Sequence, residues 1–144
     1  MIKEVQNIKD ANKCDELLTE LILDERKYND NTIDENIVMK DHFNNLINNE
    51  NVVLLAYYLE EEIVGYILVR RVEKNVCLLD GLYVLEEYRN KGIANKLLNA
   101  ALEKCKEFNV KYVDIKVMEK NEIAMNIYKK LNFKEFEVKL RKEI

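Results

Sequence analysis

Tyr88-Arg89-Asn90-Lys91-Gly92-Ile93-Ala94 is the stretch that decides the fold. It holds one of only three glycines in a 144-residue chain without proline. An apolar, strand-like run from Val76 to Val84 leads into it. A stripe of Ile93, Leu97, Leu98, Ala101, Leu102 and Cys105 leads away, so the spacing predicts a helix from Gly92 to Phe108. A strand feeding a glycine-bearing turn into a helix start aims successive backbone N–H groups at one point, as phosphate sites require. Gly92 removes a Cβ from that approach, and Ala94 is nearly as small. Lys91 and Arg89 add positive charge. The segment points to a diphosphate-bearing ligand, although such a heptad by itself also fits a plain helix start with solvated basic residues.

On either side, periodicity assigns the other elements. Ile2 to Val5 reads as a short strand, and Leu17, Leu18, Leu21 and Ile22 mark a helix from about Asn12 to Lys27. The polar stretch Tyr28 to Thr32 breaks it. Ile37, Val38, Phe43, Leu46 and Ile47 then suggest a second helix. Val52 to Leu59 and Ile63 to Val72, rich in β-branched and aromatic residues, form a hairpin around Glu60-Glu61-Glu62. Lys74-Asn75 turns the chain into Val76 to Val84. Beyond the Gly92 helix, Tyr112 to Met118 reads as a strand, Asn121 to Leu131 as a helix and Phe133 to Leu140 as a closing strand. The expected fold is α/β: a mixed, mostly antiparallel twisted sheet with a parallel strand–helix–strand crossover and helices on both faces.

Composition bounds the function. Residues 1–144 suit a single domain with one core, and 48% hydrophobic with 35% charged residues fits a soluble globular protein. The longest apolar run, Val52 to Leu59, is too short to span a bilayer, so no membrane partner is expected. The start, Met1-Ile2-Lys3-Glu4-Val5, lacks the order of a signal peptide. Cys14, Cys77 and Cys105 have no metal-type spacing and cannot all pair, which fits a cytoplasmic, reducing location and no bound metal. A net charge of −4 argues against nucleic acid and mildly favours cationic substrates.

A second cluster lies near the end of the chain. Asn121 stands where a helix N-cap is expected, and Tyr128 follows seven residues later on about the same face, roughly 10 Å further along the axis. Asn132 fits a helix-terminating left-handed residue. Alone, these residues fit a capped helix with a packed tyrosine.

Together the two clusters carry a resemblance. Leu82-Tyr83-Val84 followed by Tyr88 to Ala94 resembles the acetyl-CoA-binding motif of the GNAT superfamily of N-acetyltransferases, with Ala94 a common variant. Asn121, Ala124, Tyr128 and Leu131-Asn132-Phe133 resemble its second motif, with Asn132 in place of the usual glycine. The likeness covers the whole chain in order and spacing. It implies a GNAT fold whose two parallel strands splay around the pantetheine arm. Backbone groups of Leu82, Tyr83 and Val84 would then pair with that arm. An amide there, that of Val84 foremost, would polarise the thioester carbonyl. Arg89, Asn90, Lys91, Gly92, Ile93, Ala94, Asn95 and Lys96 would hold the pyrophosphate. Asn121 would bond the pantetheine, and the phenol of Tyr128 would protonate the departing thiolate. A phenol near pKa 10 and a thiol near 8.5 suit that transfer.

The attacking amine must also lose a proton. Asp80 interrupts the apolar run Val76 to Leu79 and is the candidate base, directly or through water. Leu79 to Val84 is similar to the matching segment of small-amine members, which usually carry a second acid where Gly81 stands. Glu25, Tyr28 and Asp30 are candidates to line the acceptor site beside Asp80. His42, beside Phe43, reads as structural. Family members often close with two strands. The twelve residues after Asn132 allow one, so the substrate side is either minimal or completed by a partner chain in a homodimer. The implied activity is direct acetyl transfer from acetyl-CoA to a primary amine, small-molecule or peptide, without an acyl-enzyme. The alternative is a non-catalytic acyl-CoA sensor or interaction module on the same fold. A dinucleotide-binding domain is excluded by the missing Gly-x-Gly-x-x-Gly.

Overall fold

The computed structural model describes residues 1–144 and places five strands in one sheet, ordered β1-β2-β3-β4-β5. The elements are β1 (Ile2–Glu4), α1 (Ile8–Glu25), β2 (Val52–Leu59), β3 (Glu62–Glu73), β4 (Val76–Val84), α2 (Ile93–Glu107), β5 (Tyr112–Ile115) and α3 (Glu122–Lys130). β1 to β4 pair antiparallel and β4 pairs parallel with β5, so α2 is the crossover helix. No helix is long and apolar enough to cross a membrane. α1 starts earlier than its apolar stripe suggests, because the Asn7 side chain accepts from the Asp10 N–H at 2.9 Å and caps it.

Two cores flank the sheet. On one side Ala11, Cys14 and Leu17 of α1 meet Leu54, Ala56, Tyr66, Leu68 and Tyr83. On the other, Ile93, Leu97, Leu98, Ala101 and Cys105 of α2 meet Leu55, Ile67, Val69, Cys77, Leu79 and Val84, with Ile127 and Tyr128 of α3 and Leu131 just after it alongside. The mixed sheet, crossover and two-sided helices are as the periodicity led one to expect.

Two expected elements are absent. The second helix, around Ile37 to Ile47, is replaced by turns, with one helical turn at Phe43 to Ile47. Asp41 sits at φ 56, and side chains of Asp34, Asn45 and Asn49 hydrogen-bond nearby main chain in competition with a helix. Phe43 is still buried, its N–H held by the Asp15 carboxylate at 3.1 Å. The closing strand, Phe133 to Leu140, is also missing. Its alternating Phe136, Val138 and Leu140 are exposed, and β5 stops at Ile115 rather than Met118, so no ladder forms. Side chains tether the segment instead, through Lys129–Glu135 at 3.4 Å and Arg141–Asp30 at 3.1 Å.

One irregularity positions everything that follows. Ile67 pairs with Leu82 but Val69 pairs with Leu79, so two steps along β3 face three along β4. The extra residue is absorbed at Asp80-Gly81, where Gly81 takes φ 87. A Cβ on Gly81 would stand 2.9 Å from the Tyr66 hydroxyl, whose ring is fixed against Phe43. Gly81→Ala is therefore expected to destabilise the fold by about 1–3 kcal/mol, lowering Tm by several degrees. An unchanged melting curve would show that the bulge relaxes freely.

Candidate functional site

β5 pairs with β4 only where Tyr112 to Ile115 meet Val76 to Leu79. Past Leu79, β4 continues through Val84 against β3 alone, so the parallel pair opens into a gap. Hydrogen-bond phase decides which peptides face it. The Leu85 N–H donates to the Val64 carbonyl at 2.9 Å, which makes Gly65–Val84 a non-hydrogen-bonded pair and Tyr66–Tyr83 a bonded one. The N–H and C=O groups of Leu82 and Val84 thus point into the gap. Those of Tyr83 are spent on β3.

At the wide end of the gap stands the start of α2. Gly92 caps it at φ 80 with no side-chain cap, and Asn90 sits at φ 61. The Arg89 N–H donates to the Glu86 carbonyl and the Lys96 N–H to that of Gly92. Between them, the amides of Asn90, Lys91, Gly92, Ile93, Ala94 and Asn95 donate to nothing in the chain. Six consecutive free amides at a helix N-terminus make a cradle for an anionic group. A Cβ on Gly92 would meet no atom within 4 Å, so the left-handed backbone, not packing, calls for glycine. Lys91 and Lys96 stand at the rim, their ammonium groups 5.5 Å and 5.9 Å from the rings of Tyr88 and Tyr57. Arg89 turns inward. Its Nε donates to the Val84 carbonyl at 2.8 Å and Nη2 reaches the Asp24 carboxylate at 3.3 Å.

The narrow side carries the titratable groups. Asn121 caps α3, its side-chain oxygen accepting from the Ala124 N–H at 3.2 Å, which leaves the amide NH2 as a donor. Two turns on, Tyr128 packs edge-on against Phe133 with ring centroids 6.1 Å apart. Asn132 closes the helix at φ 68, as a left-handed terminator should. Burial pushes the Tyr128 phenol up to about 12, with the Glu25 carboxylate adding to the shift. Glu25, the last residue of α1, has its own pKa raised, first by burial and then by Asp80 and Asp24. Glu25, Asp80 and Tyr128 therefore share one electrostatic neighbourhood, reached from both faces of the sheet where the gap opens.

The other acids are already matched. Asp80 is about half exposed and pairs with Arg70 at 2.9 Å, rather than lying in the apolar setting its neighbours suggest. Asp24 is held by Arg89 and by the Tyr83 hydroxyl, which donates at 3.2 Å. Asp30 binds Lys120 and Arg141, whose hydrogen bonds pull its carboxyl below the ordinary range. Tyr28 ends a short 3-10 turn with the Lys27 ammonium 5.0 Å from its ring. Glu25 is left without a basic partner. Sequence reasoning missed Asp24, and it gave Glu25 no role beyond lining the acceptor site. The signal was present: two acids end a helix whose last turn holds no basic residue, against the preference set by the helix dipole. A surface depression of about 590 Å3 lined by Asn99, Glu103 and Lys106 of α2 together with Val110 and Val113 includes none of these groups.

Known proteins share this fold. The model of the Acetyltransferase (GNAT) family matches residues 15–133. An N-alpha-acetyltransferase of Sulfurisphaera tokodaii is 38% identical over 99 residues, 58% of this chain and 59% of that protein. The chain thus spans little more than half the length of such relatives. A mutant of the BH1408 protein from Bacillus halodurans superposes over 100% of this chain and 99% of its own, with TM-score 0.85 at 18% identity. The aminoglycoside N-acetyltransferase AAC(6')-Iy, solved in complex with CoA, covers 100% of both chains with TM-score 0.73 at 16% identity. At such identities the superpositions speak for the fold. With the family match running from α1 to the end of the second motif, the chain belongs to the GNAT acetyltransferase family.

Proposed function

We propose that the chain is an acetyl-CoA-dependent N-acetyltransferase that moves the acetyl group directly to a primary amine in a ternary complex. The observation that carries this reading is the gap itself. It has six unpaired amides at one end and Tyr128 beside an unpartnered Glu25 at the other. Amides 90–95 hold the pyrophosphate, and the peptide groups of Leu82 pair with the pantetheine arm as a neighbouring strand would, the Val84 carbonyl being taken by Arg89. The Asn121 amide donates to the same arm. The Val84 N–H faces the gap and stabilises the oxyanion as it develops. Acetyl-CoA supplies the activated acyl group.

Direct transfer is supported by the thiols. All three cysteines are buried, and burial pushes Cys14 and Cys105 up to about 12, so neither offers a thiolate to carry the acetyl group. In this scheme the amine attacks once Glu25 has taken its proton, and Tyr128 returns a proton to the leaving sulfur. The two steps are coupled. While Glu25 is charged it holds the Tyr128 phenol up, and when Glu25 is protonated that contribution vanishes, making Tyr128 the stronger acid when it is needed.

Incubation with acetyl-CoA and a panel of amines (peptide N-termini, amino acids, aminoglycosides, polyamines) tests the proposal by thiol release and product mass. CoA binding without release on any amine would favour the sensor reading. The base is separable within the same assay. Glu25 has a raised pKa, so kcat/KM should decline as pH falls through a limb above the ordinary carboxylate value. Glu25→Gln should remove that limb and lower the rate about tenfold near neutrality, where a fraction of the amine is already free. Asp80→Asn should instead move the limb to lower pH, because Asp80 helps to raise Glu25. The opposite pattern, loss of the limb in Asp80→Asn alone, would return the role of base to Asp80.

A further inference from the structure

We infer that Arg89 is a positioning residue that latches the acceptor side of the site to the thioester side, and that it does not bind phosphate. Its guanidinium makes three contacts. Nε donates to the Val84 carbonyl at 2.8 Å, Nη2 donates to the Asp24 carboxylate at 3.3 Å, and the group lies over the Tyr83 ring, 5.1 Å from its centroid. Tyr83 closes the circuit by donating its hydroxyl to the same Asp24 oxygen at 3.2 Å. The Arg89 N–H is likewise committed, to Glu86. Its side chain is turned toward Val84 and Asp24 and its backbone N–H is spent, so Arg89 stands apart from the cradle formed by the next six amides.

The latch adds to the Tyr83–Asp24 bond a second tie between β4 and the end of α1, this one made to the Val84 main chain itself. Val84 is on the open edge of β4, and its N–H points into the gap. Asp24 is on the last turn of α1, immediately before Glu25. A planar fork bonded to both sets the spacing between the amide that meets the oxyanion and the carboxylate that meets the amine. It also answers the charge of Asp24, one of the two negative neighbours that raise Glu25. The groups facing Glu25 are Asp24 on its own helix, Asp80 on β4, Tyr66 on β3 and Tyr128 on α3. Arg70 offsets Asp80 and Arg89 offsets Asp24. Both ion pairs are nearly half exposed, so they stabilise the fold little, and their effect lies in placement.

This inference rests on the proposed transfer reaction, and its test keeps the two apart. The parent chain, with an amine it acetylates, is compared with Arg89→Gln, Arg89→Lys and Asp24→Asn for acetyl-CoA Kd by calorimetry and for kcat/KM against pH. For Arg89→Gln the Kd should stay within about threefold, while kcat falls about tenfold. Its acid limb should rise, because Asp24 is left unopposed beside Glu25. Asp24→Asn should move the limb down, by removing one of the charges that raise Glu25. Arg89→Lys should restore the limb, since it keeps the charge, but not kcat, since it loses the fork. A tenfold or larger loss of acetyl-CoA affinity with kcat unchanged would make Arg89 a phosphate ligand and overturn the latch. So would limbs that stay fixed in both Arg89→Gln and Asp24→Asn. If the parent acetylates no amine, the transfer reading itself fails, whatever the variants do.

Discussion

Tyr128→Phe is expected to lower kcat by about a hundredfold or more while acetyl-CoA affinity changes by less than about twofold. The ring and its edge-on contact with Phe133 survive the change. The hydroxyl makes no hydrogen bond within the chain, so stability should move by less than about 1 kcal/mol. What the proposed mechanism loses is the proton for the leaving thiolate. A phenol raised to about 12 stays protonated at the neutral pH of a transfer assay, so no alkaline limb from Tyr128 should appear near neutrality. The relevant measurement is kcat from initial rates at saturating acetyl-CoA on the preferred amine, with Kd measured separately. Turnover close to that of the parent would mean that solvent protonates the thiolate, and the sensor reading would then regain ground.

The second large effect belongs to Gly92. At φ 80 a β-branched residue is strained whatever room surrounds it, so Gly92→Val must either hold that strain or swing the peptide. Swinging it disperses the amides of Asn90 to Asn95. In the parent, acetyl-CoA at a hundredfold over its Kd should stabilise the fold by roughly 2.7 kcal/mol, visible as a raised Tm. Gly92→Val should melt cooperatively but show almost none of that increase, and Gly92→Ala should fall between. A Val variant that keeps the full ligand-induced shift would refute the assignment of this turn to the pyrophosphate.

Much of the fold was legible because its signals are local. The stripe from Ile93 to Cys105 buries one continuous face and the β-branched runs between Val52 and Val84 bury both, and local pattern alone assigns such elements. The cradle was legible too, since a strand, a glycine and a helix start occur within a few residues of one another. The segment from Ile37 to Ile47 was misleading because its apolar residues have near-helical spacing while its asparagines and Asp41 compete for the main chain. The tail from Phe133 to Leu140 alternates as a strand does, but a strand needs an edge to pair with, and no run of residues reports the length of its neighbour. For the same reason Arg89 could be found from sequence but not aimed. Its guanidinium is directed by Asp24, 65 positions away along the chain.

The bulge at Asp80-Gly81 acts on β4 as a change of gear. Before it the odd positions, Cys77 and Leu79, lean toward α2, and after it the even ones, Leu82 and Val84, do so. Hydrogen-bonding direction shifts with the side chains, so the same count that turns Leu82 and Val84 into the core turns their peptides into the gap. The chemistry assigned to this edge is written in backbone, and it depends on how many residues separate Leu79 from Val84 more than on which residues they are. Apart from Gly81, whose backbone calls for glycine, and Tyr83, which holds Asp24, side chains in that interval can drift under selection for packing, whereas gaining or losing a single residue would exchange the peptides that face the gap for those that face β3.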